Sequence, residues 1–512
     1  MLGVSAAIAM AVLVASGSAW AQVAERPVRL VLQITVDQLR GDLIDRYSAG
    51  YGEGGFRLLL DNGAFYVDAH HRHANTETVV GHTTLATGTD PAIHGMIGNV
   101  WLDRESGQLV YNVEDADYPL LGEGGGVDAG TEIDPTQKLA TTQGRSPRAI
   151  RTSTISDEIV LSIGPEAKVF GISVKDRGAI TLAGHAGTAY WFSKSAGQMV
   201  TSTFYRDAYP DWVDAWNAKG VPNAYEDTSW ELSRDPSAYL FGNTDDQPWE
   251  VDFPDYGRTF PHPFGKTDSP YFTTLLTLSP AGDEIVLDFA KDLMTAENIG
   301  TDDVLDYLSI SFSSTDYVGH FFGPSSLEAE DNLHRLDRTL ADLFAFVDKT
   351  VGLDQTLVVL SADHGASEAP GYLQSLGIDS SYFNFEDVDK TQGIAALKAE
   401  FGVAEELIDQ FFQVHRALLF GPPPRCGPTA GVSALSRASG GSEDSCDGAG
   451  DRVRRTYGLL TRLRPTTPPY PIPLVLGRDG ANLKQGWPPA GGRGEEAGAR
   501  ACRACEDGPR CA

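Results

Sequence analysis

Four apolar runs in this chain share one construction: each is a strand-length stretch that stops on ionisable side chains. VRLVLQITV ends at Asp37, and AKVFGISV ends at Lys175, Asp176 and Arg177. LDYLSISFSS ends at Asp316, with His320 four residues on, and TLVVLSA ends at Asp363 and His364. Near-continuous apolar runs of this length are the pattern of strands buried on both faces, as in a parallel sheet covered by helices. Helices are legible between them. In SSLEAEDNLHRLDRTLADLFAFVDK, Leu333, Leu336, Leu340, Leu343 and Val347 fall on one stripe behind a serine able to cap the first turn. The class is therefore α/β, and in open α/β sheets ligands bind at the carboxyl ends of the strands. An Asp or His after one strand is an ordinary turn opener. Ionisable residues after all four make a constellation.

Sorted by chemistry, the constellation has two parts. Asp37, Asp316, His320, Asp363 and His364 offer oxygen and nitrogen ligands suited to zinc, enough for more than one ion. Lys175, Arg177 and Asn99 are donors without acidic character, suited to hold an anion beside the metals. Thr78 opens TVVGHTTLATGTDPAIHGMIGN ahead of an apparent helix start, and Asn99 returns after the next turn. Side chains so spaced can meet across a short helix, although a helix cap and a turn former account for them equally well in isolation. His70, His71 and His73 in DAHHRHAN read as polar loop residues near the mouth of such a site, and His82 and His94 as makers of structural hydrogen bonds.

The charge balance limits the partners. The 512 residues carry a net charge of -30, and a surface that acidic repels a nucleic-acid backbone, so any phosphate site must be a local positive pocket. The N-terminus MLGVSAAIAMAVLVASGSAWAQ has an apolar run followed by Ala19-Trp20-Ala21, the form of a secretory signal over residues 1–21. No other stretch approaches the roughly 18 apolar residues of a spanning helix. The expectation is a periplasmic or secreted protein with no transmembrane segment in the mature chain. Composition breaks near residue 412: from there on stand 13 Arg against 1 Lys and all five Cys. Segments such as GPPPRCGPTAGVS lack apolar periodicity. Residues 412–512 are then either a natural disordered tail or the product of a GC-rich gene read out of frame, and the Arg, Pro, Gly, Ala and Cys enrichment favours the second. The folded part is expected over residues 22–411, which contain no cysteine and at that size need no disulfide.

The motifs TVDQLRGD, NTETVVGHTTLATGTDPAIHGMIGN, SVKDRGAI, SSTDYVGHFFGP and SADHGAS, in that order over about 385 residues, resemble a known family. It is the alkaline phosphatase superfamily, in particular the branch of phosphate-irrepressible bacterial alkaline phosphatases related to the type I phosphodiesterase/nucleotide pyrophosphatases. The resemblance implies a mostly parallel sheet sandwiched between helices, with an inserted cap that the aromatic-rich stretch of about 190–275 resembles. It implies hydrolysis of small-molecule phosphate monoesters through a phosphothreonine at Thr78. Two zinc ions are implied as well. Asp37, Asp363 and His364, with Thr78 itself, match the ligands of one; Asp316 and His320 match two ligands of the other. Asn99, Lys175 and Arg177 match residues that contact the phosphoryl oxygens. The family's second zinc takes one further His from near the C-terminus. After His364 this chain has only His415, in a context that does not match, so that site is incomplete here. Two cations beside the phosphate favour a dianionic monoester over a diester. The alternatives are a phosphodiesterase or pyrophosphatase of the same superfamily, and a catalytically impaired protein that binds phosphate or metal.

Overall fold

The computed structural model describes residues 27–122, 124–382 and 390–402, together with three short strands beyond them. The strands of the main sheet are β1 (Leu30–Val36), β2 (Val169–Ser173), β3 (Thr188–Ser193), β4 (Gln198–Val200), β5 (Asp306–Phe312), β6 (Thr356–Ser361) and β7 (Leu474–Val475). Their order is β7-β6-β1-β5-β2-β3-β4. All neighbours from β6 to β3 are parallel, and the outermost strands β7 and β4 are antiparallel to theirs. The four runs that end in ionisable residues are thus the four adjacent strands β6, β1, β5 and β2.

Register brings their ends to one level. Thr35 pairs with Ser361 on one side and with Ser311 on the other, and Ser311 pairs with Ser173. The ladder runs one residue further, where the Asp37 N–H donates to the Phe312 carbonyl at 2.9 Å. Residues just past this line have no neighbouring strand left to bond. In open α/β sheets ligand-binding side chains stand just beyond this line.

Helices cover both faces. They are α1 (Thr78–Thr87), α2 (Asp176–Ala183), α3 (Pro280–Ala296), α4 (Ser314–Phe322) and α5 (Leu327–Thr350). Along β3, Tyr190 and Phe192 enter the core that α3 and α5 share, whereas Ala189 and Trp191 enter a second core with Ala179, Ile180 and Ala183 of α2. The side chain of Ser326 accepts from the Ala329 N–H at the start of α5. The expected stripe of that helix, Leu333 to Val347, is buried against α3 and α4. Each such side chain contributes roughly 1.5–3 kcal/mol by leaving water. That burial fixes α4, and with it Asp316 and His320, over the end of β5.

Two expectations change. The stretch from about 190 to 275 is not all insertion: β3 and β4 belong to the sheet, and the irregular part begins after Val200. TAYWFS is buried on both faces because its alternate residues serve two cores. β6, expected to be doubly buried, alternates buried and half-buried residues; among the described residues the strand outside it is the two-residue β7. Beyond residue 412 the described residues are two short strands. Leu474–Val475 extends the sheet edge, and Leu419–Phe420 pairs antiparallel with Ile408–Gln410. Residues 1–21, most of 412–512 and His415 lie outside the described residues. Among the described residues no helix is long and apolar enough to cross a membrane.

Candidate active site

Thr78 is the first residue of α1, behind an extended Glu77, and it is buried. Asn99 does return to it. Its Oδ1 accepts from the Val79 N–H at 3.0 Å, so it satisfies one of the donors that a helix leaves unpaired at its start. The Asn99 N–H in turn donates to the Glu77 carboxylate, and its carbonyl accepts from Asn112 Nδ2 at 2.7 Å. Burial pushes the Glu77 carboxyl up to about 7. One turn along α1, Gly81 lets the helix lie directly on the end of β6: a Cβ there would stand 2.0 Å from the Asp363 carbonyl oxygen.

The expected metal ligands converge. His364 Nε2 is 3.4 Å from Asp37 Oδ1, 3.5 Å from Asp363 Oδ2 and 3.9 Å from Asp316 Oδ1. His320, one turn after Asp316 on α4, places Nε2 3.2 Å from Asp316 Oδ1 while 64% of its side chain faces solvent. Asp37, Asp316 and His364 each offer an atom within 4.8 Å of the others. This tightest trio takes members from both of the ligand sets that the sequence separates. Among the described residues Asp37 Oδ1 is buried with no hydrogen-bond donor, and Asp363 Oδ2 is buried with the His82 ring 3.0 Å away. A buried carboxylate oxygen without a donor, facing an imidazole, fits a divalent cation. Burial, reinforced by Asp316 and Asp363, pushes the Asp37 carboxyl up to about 7. Burial acts upward on Asp363 too, but His364 and His82 outweigh it and hold that carboxyl below the usual range.

The two cations have partners that sequence reasoning did not foresee. The Lys175 ammonium, fully buried, bridges Asp37 Oδ2 at 2.7 Å and Asp316 Oδ2. It also stands 4.7 Å from the centre of the Tyr317 ring, and Lys194, itself paired with Glu132, stands 4.9 Å from the same centre and donates to the Tyr317 hydroxyl at 3.0 Å. Arg177 pairs with Asp134 at 2.7 Å and directs Nη2 toward Thr78 Oγ1 at 3.5 Å. Beneath it, Asp176 accepts from Arg145 at 2.7 Å and from the Tyr111 hydroxyl at 2.6 Å. A buried charge without a partner is costly, which accounts for carboxylates beside both cations. Glu132 and Asp134 stand in an irregular loop, GTEIDPTQ, with no spacing that announces them. His82 is a structural hydrogen-bonder as expected, with Nδ1 2.9 Å from the Thr78 carbonyl and Nε2 2.9 Å from Ser311 Oγ. Its Nδ1 also lies 3.0 Å from Asp363 Oδ2, which ties the threonine helix to a ligand carboxylate. His94 bonds Thr84 and Met96, and His70 pairs with Asp68 at the surface.

A cluster of this kind, at parallel strand ends, with carboxylates, imidazoles and two buried cations beside a threonine hydroxyl, belongs to the metal-dependent phosphoester hydrolases. A family model described as type I phosphodiesterase / nucleotide pyrophosphatase matches residues 31–419, and the chain belongs to that family, within the alkaline phosphatase superfamily. Its similarity is to the PafA-like branch. Alkaline phosphatase PafA of Elizabethkingia meningoseptica is 37% identical over 399 residues, covering 77% of this chain and 70% of PafA. Alkaline phosphatase PhoV of Synechococcus elongatus is 36% identical over 361 residues, covering 70% of this chain and 62% of PhoV. The crystal structure of wild-type PafA matches with a TM-score of 0.65 at 35% identity, over 75% of this chain and 70% of that one. A PafA variant altered at a threonine, an asparagine, a lysine and an arginine matches with a TM-score of 0.66 at 34% identity, over the same shares.

Proposed function

We propose that this chain is an exported alkaline phosphatase that hydrolyses phosphate monoesters through a phosphothreonine at Thr78, with zinc as its metal. One observation carries the reading: a buried threonine hydroxyl at a helix N-terminus faces an arginine within hydrogen-bond reach and stands beside a converged set of ligand carboxylates and histidine. The relatives support it. In the PafA variant the threonine and asparagine are as far apart in sequence as Thr78 and Asn99, and the lysine and arginine as far apart as Lys175 and Arg177.

Two zinc ions would be held by Asp37, Asp363, His364 and Thr78, and by Asp316 and His320. When bound, zinc would make the hydroxyl a competent nucleophile and offset charge on the attacking and leaving oxygens. The remaining work falls to the chain. Arg177, held by Asp134, orients a phosphoryl group over Thr78 with its planar fork. The N-terminus of α1 presents backbone N–H groups and the positive end of its dipole, and Asn99 holds that turn in place. Thr78 Oγ1 gives up its proton to water and forms the bond to phosphorus as the bond to the alcohol oxygen breaks, and the leaving alkoxide takes a proton back from water, so that the alcohol is released neutral. A second water then cleaves the phosphothreonine, releasing phosphate and restoring the hydroxyl.

The test compares para-nitrophenyl phosphate with bis-para-nitrophenyl phosphate on the zinc-loaded chain. A strong preference for the monoester is expected; preference for the diester would give the phosphodiesterase reading. A second reading, an impaired enzyme, is favoured by the exposure of His320, which together with Asp316 supplies only two of the expected ligands. Tight binding of one zinc with feeble turnover would support it. Recovery of the chain outside the cytoplasm, with its N-terminus after Ala21, tests export.

A further inference from the structure

The segment leading into Thr78 carries three acceptor atoms that nothing satisfies among the described residues. His71 Nε2 is 3.1 Å from the Ala362 carbonyl, and His73 Nδ1 is 2.6 Å from the Asn75 carbonyl. A carbonyl only accepts, so these ring nitrogens carry the protons, and His71 Nδ1 and His73 Nε2 hold lone pairs. Both lone-pair atoms are buried without a hydrogen-bond partner. Asn75 donates Nδ2 to the Ile97 carbonyl at 2.5 Å, which leaves its Oδ1 as an acceptor, again buried and unpartnered.

The two rings are neighbours. Their centroids are 5.0 Å apart with planes inclined by 45°. Two imidazoles on one tetrahedral ion, each with its nitrogen about 2.0–2.1 Å from the metal, have centroids roughly 5 Å apart. Ligating histidines characteristically anchor the other ring N–H on a carbonyl or carboxylate, which fixes the tautomer; both rings here are anchored in that way. Burial holds both imidazoles below their usual pKa, in the neutral form a metal requires, and Asp90 adds negative charge beside His73. Imidazole nitrogens suit zinc and its transition-metal neighbours, whereas calcium and magnesium ask for oxygen.

We propose that His71 and His73, with the Asn75 carboxamide of the same segment, form a further divalent-metal site for zinc or a similar transition metal, beside the strand-end ligands and completed by water. The ion clamps residues 71–75 between Ala362, the residue before Asp363, and the Ile97 turn that leads to Asn99. It is a positioning site: it steadies the approach to Thr78 from outside the reaction centre.

The test uses the full zinc-loaded chain. Anomalous diffraction at the zinc edge should show a peak about 2.0–2.1 Å from both His71 Nδ1 and His73 Nε2. After dialysis against the same zinc buffer, the His71→Ala, His73→Ala double variant should hold one zinc fewer per chain, its folding checked by circular dichroism. If that variant does not fold, the diffraction result decides. A water or no density at that position, or equal zinc content in the folded variant, overturns the proposal. Neither result bears on the phosphatase reading, which is judged by monoester turnover.

Discussion

Replacing Gly81 by Ala puts a single methyl group between the helix of Thr78 and the strand end of Asp363. The new Cβ would lie 2.0 Å from the Asp363 carbonyl oxygen, 2.6 Å from its carbon and 2.8 Å from its Cα, all backbone atoms that cannot rotate aside. Real Cβ contacts stay above 3.0 Å, so α1 and the end of β6 must part by about 1 Å. That displacement moves Thr78 away from Asp363 and His364, and a misplacement of about 1 Å can cost on the order of 100-fold in rate. Overpacking adds a stability loss of about 1–3 kcal/mol. Helix propensity alone argues the opposite, since Ala is favoured over Gly in a helix by about 1 kcal/mol. The assay is kcat on para-nitrophenyl phosphate, read alongside the melting temperature of Gly81→Ala. Turnover within a few-fold of the parent, with an unchanged or higher melting temperature, would refute the close-contact argument.

Replacing Lys175 and Arg177 together by Ala should reduce monoester hydrolysis far more than diester hydrolysis, because the lost attraction scales with phosphoryl charge; equal losses would assign the pair to folding. Asp134→Asn removes the carboxylate that neutralises buried Arg177, and breaking such a pair costs about 3–5 kcal/mol, to be read from denaturant midpoints. Burial, then Glu328 beside it, raises the Glu250 carboxyl from 4.5 to about 9. The folded state therefore holds that proton more tightly than the unfolded chain, and stability present below pH 4.5 is lost as pH rises toward 9. Glu250→Gln should flatten the fall in melting temperature over that window, and parallel curves for the two proteins would contradict the assignment.

Much of the site was legible because parallel strands buried on both faces leave little choice about where polar residues go. Asp37, Lys175, Asp316 and Asp363 each follow an apolar run, and adjacency in the sheet supplied what the sequence left open, that the four ends share one level. Thr78 and Asn99 were a weak pair until the Val79 N–H joined them. Asp134 and Glu132 left no trace, since single carboxylates in an irregular loop have neither period nor spacing. Only the folded chain shows that they lie against Arg177 and Lys194. Lys175 was read as a phosphate donor from its place after an apolar run, and its ion pairs with Asp37 and Asp316 had no signal in the sequence. The start of the insertion was misjudged because aromatic residues in TAYWFS resemble a cap while serving two cores.

The central claim is that Thr78 accepts the phosphoryl group. Zinc-loaded chain turning over para-nitrophenyl phosphate, quenched in acid and digested, should yield the peptide containing Thr78 with phosphate on that threonine, and Thr78→Ala should give neither adduct nor turnover, while Thr78→Ser retains some of both. Undiminished turnover by Thr78→Ala, or phosphate trapped on another residue during turnover, would contradict it.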